Sequence, residues 1–483
     1  MALGEAHLPP GPFQWPIIGN IFQMGDGTRP LYALFADFSK TYGPLFSLKL
    51  GSQITIVASS PAAAREILKT HDRSLSGRHV TQAAPIHYPF SVGFSADCGE
   101  SWKYIRSLWK TELLSLKAVE AQASVREQKV KEMVLFMGSK EGEVVDVGTA
   151  MYACVLNVLT NTLFSVDFLD FEGKGIGEEV REGVTEVGEL INVVNVSDLF
   201  PIVKGLDLQR VGRKRKEALE KVVSVWKSMV EQRRKQRMMM EKKVALKRDF
   251  LDLVIDNGFN DGQINQFVTE LIVAGTETSI STLEWAMSAL MKNQNALHKL
   301  QNELETKIDH HKQHTLIKDS HILHLPYLEA CIKETLRLHP AGPLLLPHKA
   351  LETCQVMGFT IPKDSAIFVN MWAIARDPNL WEQPLEFEPQ RFLEKEMEFV
   401  GSSFEYLPFS AGRRVCLGVT SAIRQISLIL ASLVHYFEWS LPNGMDFNEL
   451  DMTEKSLLTL RRKVPLKLVP KVRNPTLFEQ LMN

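Results

Sequence analysis

The chain of 483 residues has only five cysteines, Cys98, Cys154, Cys331, Cys354 and Cys416. They are odd in number, scattered, and contain no C-x-x-C pair, which excludes a disulfide scaffold and a cysteine-rich zinc site. A run of eighteen or more apolar residues is also lacking, and Met1 to His7 is too short and polar for a signal peptide or anchor. Neither sign of charge dominates: 55 Lys and Arg against 57 Asp and Glu leave a net charge of −2. That balance gives no case for a nucleic-acid partner. The basic clusters Arg213 to Lys216 and Arg233 to Arg237 read as solvated helix faces. There is no internal repeat, low-complexity tract, composition break, or glycine-rich flavin or nicotinamide fingerprint. A sequon at Asn195 to Ser197 stands without any other sign of a secretory compartment.

What is present is ordinary globular material, 45% hydrophobic and 23% charged, enough to enclose a cofactor. Leu8-Pro9-Pro10-Gly11-Pro12 is a stiff extended lead-in, so residues 1–12 read as a polar start and hinge and 13–483 as one domain. Short extended runs at Leu45 to Leu50 and Gln53 to Ala58, with a helical segment at Pro61 to Thr70, predict a small β-rich lobe. Helical periodicity then dominates at Val125 to Met137, Gly177 to Val193, Arg213 to Arg237, Ile264 to Lys292, Gln294 to Ile308 and Leu328 to Leu338. After Pro340 come strands at Cys354 to Phe359 and Ala366 to Asn370, then helix from Val419 to Phe437. The expected class is mainly α with a small β-rich lobe. Ile264 to Lys292, apolar on most faces and roughly 40 Å long, belongs in the core.

Among the cysteines only Cys416 sits in a sequence built around it: Phe409-Ser410-Ala411-Gly412-Arg413-Arg414-Val415-Cys416-Leu417-Gly418, just before a helix. A helix dipole, free N–H groups and nearby arginines there lower a thiol pKa. In the long apolar helix, Ala274-Gly275-Thr276-Glu277-Thr278-Ser279 puts a glycine and polar groups where they are costly. A lone mid-helix Thr commonly bonds back to its own helix; an acid beside a hydroxyl also suits proton transfer in a site that excludes water. Glu334 and Arg337 lie three apart on one helix face, where they pair.

These segments resemble the cytochrome P450 family, whose signature F-x-x-G-x-R-x-C-x-G is matched at Phe409, Gly412, Arg414, Cys416 and Gly418. Ser410 and Leu417 stand where plant members usually carry Gly and Pro. The resemblance implies a haem-thiolate monooxygenase with haem b (iron protoporphyrin IX) between the long helix and the cysteine loop. Cys416 would ligate the iron, Arg414 would pair with a propionate and Phe409 would pack near the thiolate. A thiolate trans to oxygen favours O–O cleavage. Ala274 and Gly275 resemble the oxygen-binding stretch, and Glu277 and Thr278 the proton-delivery pair. Trp102 and Arg106, in a W-x-x-x-R pattern, and His348 are implied propionate contacts. Glu334 and Arg337 match E-x-x-R, and Arg391 in Pro389-Gln390-Arg391-Phe392 completes an implied structural ion network.

In that fold the pocket would include Ala84 to Gly93, Leu271 to Ala274, Ala341 to Leu346, with Leu344 and Leu345, and Ser456 to Leu458, with Leu457. These are mostly apolar segments suited to a small hydrophobic substrate. The runs Pro340 to His348 and Glu352 to Met357 are similar to plant microsomal members, most of all alkaloid-processing ones of the N-methylcoclaurine hydroxylase and littorine mutase type. The expectation is oxidation of an alkaloid with O2. The alternatives are radical rearrangement, phenol coupling, terpenoid hydroxylation, or a haem protein that only carries electrons. The resemblance further implies electrons from NADPH-cytochrome P450 reductase, a monomer, and a place on the cytosolic face of the endoplasmic reticulum membrane. The membrane helix that precedes the hinge in such members is missing here, which reads as a truncation. The segment Asp198 to Val203 reads equally as a core-facing loop or as a membrane contact.

Overall fold

The structure is a computed structural model that describes residues 7–25, 27–82, 84, 90–191, 193–203, 205–239, 249–308, 316–401 and 403–482. It is mainly helical, 54% helix and 10% strand, as expected. The central helix, Asp261–Lys292, starts from a capping box in which Asn260 and Gln263 exchange side-chain and backbone hydrogen bonds. Its 32 residues span about 48 Å. Between Ile264 and Met291 only Ala274 and Thr278 are exposed. The helix packs on Val147–Phe164, on Val419–Tyr436, which follows the cysteine loop, and on the strand Leu460–Arg462.

Helix Val147–Phe164 escapes the periodicity reading because it is apolar all round and rich in β-branched residues, so it has no polar face to mark its phase. Asp146 caps it through the Thr149 amide at 3.0 Å, and Ser165 ends it at φ 61. It is long and apolar enough to cross a membrane, yet 78% of it is buried inside the protein. Here it is a core helix.

The β lobe is a five-stranded sheet in the spatial order Leu45–Leu50, Gln53–Ala58, Ala366–Val369, His348–Lys349, Gly77–Arg78. Its first two strands have the expected bounds. The strand expected at Cys354 to Phe359 is instead a hairpin, Cys354–Val356 against Phe359–Ile361. Met357 at φ 52 and Gly358 at φ 83 make the turn. The basic cluster at Arg233 to Arg237 is not a solvated face. Arg233 holds Asp249 and Asp252 at 2.9 and 3.1 Å, and Arg237 holds Asp252 at 2.8 Å. These pairs fasten the end of Val211–Met239 to the segment before the central helix. Arg213 and Lys216, by contrast, make only exposed pairs within their own helix.

Glu334, Arg337 and Arg391 converge from elements far apart in sequence. Glu334 is fully buried and accepts from Arg337 Nε at 2.7 Å, Arg337 Nη2 at 2.8 Å, Arg391 Nε at 3.0 Å and the Glu388 amide at 2.9 Å. Arg337 also donates to the carbonyls of Ala375, Pro384 and Glu386. One carboxylate thus organises the loops that lead to the cysteine segment. Glu334→Ala leaves the buried Arg337 and the partly buried Arg391 without their counter-charge and is expected to cost about 3–5 kcal/mol. A lowered denaturation midpoint checks this, and an unchanged midpoint contradicts it.

Candidate functional site

The cysteine loop is shaped before its sulfur is placed. Gly412 has φ +69, and a Cβ there would lie 1.8 Å from the Leu68 carbonyl oxygen, so only glycine allows the close approach. Ser410, at φ 63, occupies a left-handed conformation without that freedom, at a cost of roughly 1–2 kcal/mol. The Cys416 amide then donates to the Phe409 carbonyl at 3.0 Å, closing the loop. The side chain of Cys416 keeps accessible surface, yet protein surrounds the sulfur closely enough to desolvate it, as at the wall of a recess. The expected fall in its pKa is reversed. Burial pushes the thiol up and outweighs the Gly418 amide and the Arg106 charge, which act the other way. The thiolate therefore needs a strong cation at the sulfur.

Beside the loop stands a group of cations. Trp102 donates its indole N–H to the Val92 carbonyl at 2.8 Å, and the guanidiniums of Arg106 and Arg414 lie 5.1 and 4.9 Å from its ring centre. Arg106 donates to the Val415 carbonyl at 2.6 Å, adjacent to Cys416. Arg414 spends its donors on the carbonyls of Ser76, Val92, Ser95 and Asp97. Arg78 was not legible as a site residue. It is buried, donates to the Gly93 and Leu346 carbonyls, and is driven down to about 9 by burial and then by Arg414. His348 gives Nδ1 to the Leu75 carbonyl at 2.7 Å, while its buried Nε2 has no hydrogen-bond partner among the described residues. Burial and the charges of Arg78 and Arg414 hold that imidazole well below its ordinary pKa. Such a group suits carboxylates, which would relieve the repulsion.

On the central helix Ala274 and Thr278, one turn apart, share the accessible face. The Thr278 hydroxyl donates to the Ala274 carbonyl at 2.9 Å, leaving its oxygen lone pairs as acceptors. A Cβ at Gly275 would meet Leu159 Cδ2 at 3.2 Å, so the glycine has a packing reason of its own between two helices. Glu277 is buried on another flank, with Oε2 3.0 Å from Arg461 and Oε1 without a hydrogen bond. Burial raises its pKa against the pull of Arg461 and Arg181.

The expected pocket is only partly assembled. Leu271 is buried and Leu345 half-buried in the main core, whereas Leu344 packs on the apolar cluster of Phe35, Phe46, Leu48 and Val57 in the β lobe. Leu345 adopts φ 53, and that sharp turn sends the two neighbours different ways. Leu457 and Leu458 lie at the tip of the hairpin Glu454–Ser456 and Leu460–Arg462, beside Gly188 of helix Glu178–Ile191. Residues 85–89 of the expected stretch Ala84 to Gly93 lie outside the described residues.

A further residue, Glu270, carried no sequence signal. One turn before Ala274, its buried carboxylate accepts from the Ser91 hydroxyl at 3.0 Å, the Val92 amide at 3.1 Å and the Gly93 amide. It ties the central helix to the strip that Arg78, Arg414 and Trp102 hold from the other side. Burial pushes its pKa up to about 7 from 4.5. The stability it gives is therefore complete below the unfolded value and is lost as pH rises through about 7, by at most about 3 kcal/mol. Gln stays neutral, so the melting-temperature difference between wild type and Glu270→Gln should fall between about pH 5 and about pH 8. A difference independent of pH contradicts the assignment.

A cytochrome P450 family model matches residues 9–468. The probable (S)-N-methylcoclaurine 3'-hydroxylase isozyme 2 of Coptis japonica is 46% identical over 470 residues, covering 97% of this chain and 94% of the relative. The (S)-N-methylcoclaurine 3'-hydroxylase isozyme 1 of Papaver somniferum is 44% identical over 97% of this chain and 95% of its own. Corytuberine synthase of Coptis japonica is 41% identical over 97% and 94%. With nearly the whole chain aligned and a cysteine loop folded around Gly412 and Cys416, this protein belongs to the cytochrome P450 monooxygenase family and is closely related to its plant alkaloid-processing members.

Proposed function

We propose that the protein holds haem b through Cys416 and uses dioxygen, with electrons from an NADPH-cytochrome P450 reductase, to hydroxylate a small hydrophobic alkaloid. The observation that carries this reading is the conjunction of an accessible thiol with a group of cations, Arg78, Arg106 and Arg414, that makes no ion pair among the described residues. The residues fit haem: Cys416 offers a soft ligand, and Arg78, Arg106, Arg414 and the unpartnered His348 Nε2 suit two propionates. Protonation of His348 would accompany that contact, since Nδ1 is already committed to Leu75. Bound there, haem would supply the activation of dioxygen, one oxygen atom entering a substrate C–H bond and the other leaving as water with two electrons and two protons.

The chain's own part is to deliver those protons and exclude stray water. Thr278 Oγ1 lies on the accessible face of the helix with its lone pairs free to accept, and Glu277 Oε1 has no hydrogen-bond partner among the described residues. Their positions support a relay from Glu277 to Thr278. The accessible Ala274 methyl and Leu457 at the hairpin tip favour an apolar substrate. The relatives named as hydroxylases favour hydroxylation over rearrangement or coupling.

A membrane-facing surface supports a microsomal setting. Phe13, Trp15, Ile17 and Phe22 are exposed, as are Ile202 and Leu206. The two groups join where Gly51 bonds the Ile18 carbonyl and Ser52 bonds that of Leu199. An apolar patch of this kind suits a bilayer interface.

Under isotopically labelled dioxygen the product should carry one labelled oxygen; an unlabelled oxidised product contradicts hydroxylation. Thr278→Ala should lower product formed per NADPH by about tenfold or more, with peroxide released instead. Unchanged coupling would overturn the relay.

A further inference from the structure

Glu277 needs a reason to be ionisable at all. A carboxyl buried this deeply is held protonated by desolvation unless a cation stands against it. Three groups act on it directly, and a second carboxyl shares its arginine. Arg461 approaches Oε2 at 3.0 Å from the strand Leu460–Arg462. Arg181, on helix Glu178–Ile191, acts at longer range; it donates to Thr149 Oγ1 at 3.2 Å and lies over the Tyr152 ring at 5.3 Å. Tyr152, on Val147–Phe164, feels the Glu277 charge, and Thr276 of the central helix stands beside its buried hydroxyl. Glu284, two turns along the central helix, shares the field of Arg461 together with Asp146 and Arg462. Of these, only Arg461 is within ion-pair distance.

Arg461 is not a loose surface arginine. The carbonyl of Leu460 accepts from Ser281 Oγ at 2.6 Å and from Trp285 Nε1 at 2.9 Å, both on the central helix. The Leu460 amide donates to the Ala341 carbonyl at 3.1 Å. Arg462 packs over the Trp285 ring at 5.6 Å and donates to the Asp451 carbonyl at 2.7 Å. The Leu460 carbonyl on one side of Arg461 and the Arg462 side chain on the other are thereby held against the helix that carries Glu277. Yet among the described residues the Arg461 Nε and the Glu277 Oε1 both lack hydrogen-bond partners. The pair is electrostatic, and one carboxylate oxygen is left open for a proton.

We propose that Arg461 is a positioning residue for proton delivery: from the same hairpin whose tip carries Leu457, it holds Glu277 ionisable and leaves Oε1 as the proton-bearing atom. This rests on the reading of Glu277 as part of the relay. Placing the cation on the pocket hairpin makes the acid's charge depend on where that hairpin sits.

The test uses the haem-loaded protein with its reductase in four forms: wild type, Arg461→Gln, Arg461→Lys and Glu277→Gln. Circular dichroism and haem content confirm that each is folded. Infrared difference spectra assign the protonated Glu277 carboxyl as the band absent from Glu277→Gln, and a titration then reads its pKa without turnover. In Arg461→Gln that titration should move to higher pH, the acidic limb of the rate profile should move with it, and product per NADPH should fall several-fold. Arg461→Lys should restore most of both. If Glu277→Gln changes coupling while Arg461→Gln leaves the titration, the rate profile and coupling as in wild type, the role of Arg461 is overturned and the relay stands. If Glu277→Gln itself leaves coupling unchanged, the relay reading falls, and this proposal with it. Should Arg461→Gln fail to fold, Arg461→Lys carries the test alone. A lysine that keeps the charge but not the wild-type titration would overturn the proposal.

Discussion

Desolvation of Cys416 is the constraint around which the site is arranged. A thiol buried in a protein resists ionisation, and one amide and one arginine do not reverse that. It becomes a thiolate only against a stronger positive charge, as a metal ion provides. The strict geometry of its loop follows from the same need. Gly412 lets the loop press against Leu68, the Phe409 carbonyl fixes the Cys416 amide, and Ser410 is held in a left-handed conformation to complete the turn.

The other buried charges answer the same problem in different ways. Glu334 is compensated within the protein by two guanidiniums and an amide, so it acts as structure. Glu270 is compensated by neutral donors and remains poised near neutrality. Arg78, Arg106 and Arg414 bind mostly backbone carbonyls, which satisfy their hydrogen bonds but not their charge. That leaves a positive field next to the thiol. The buried charges in this fold differ by whether the described residues supply an ion-pair partner.

Much of this was legible in the sequence where the signal was local. The strands Leu45–Leu50 and Gln53–Ala58 and the helix Gln294–Ile308 have their expected bounds, because period and punctuation sit within each segment. Cys416, Gly412 and Arg414 were legible through a motif that spans one loop. Glu270, Arg78 and Arg461 were not, since each matters through partners more than a hundred residues away. Leu344 was misplaced for a similar reason: a backbone turn at Leu345, invisible in hydropathy, directs it to the β lobe. Thr278 bonds back to the Ala274 carbonyl, as a lone mid-helix threonine commonly does.

The most direct measurement of the central claim is the absorption spectrum of the reduced protein under carbon monoxide. A Cys416 thiolate on the iron gives a strongly red-shifted Soret band, and Cys416→Ser should lose that band while retaining the overall helical content. A Soret band at the ordinary position in the wild type, or an unaltered red-shifted band in the serine variant, would contradict the account.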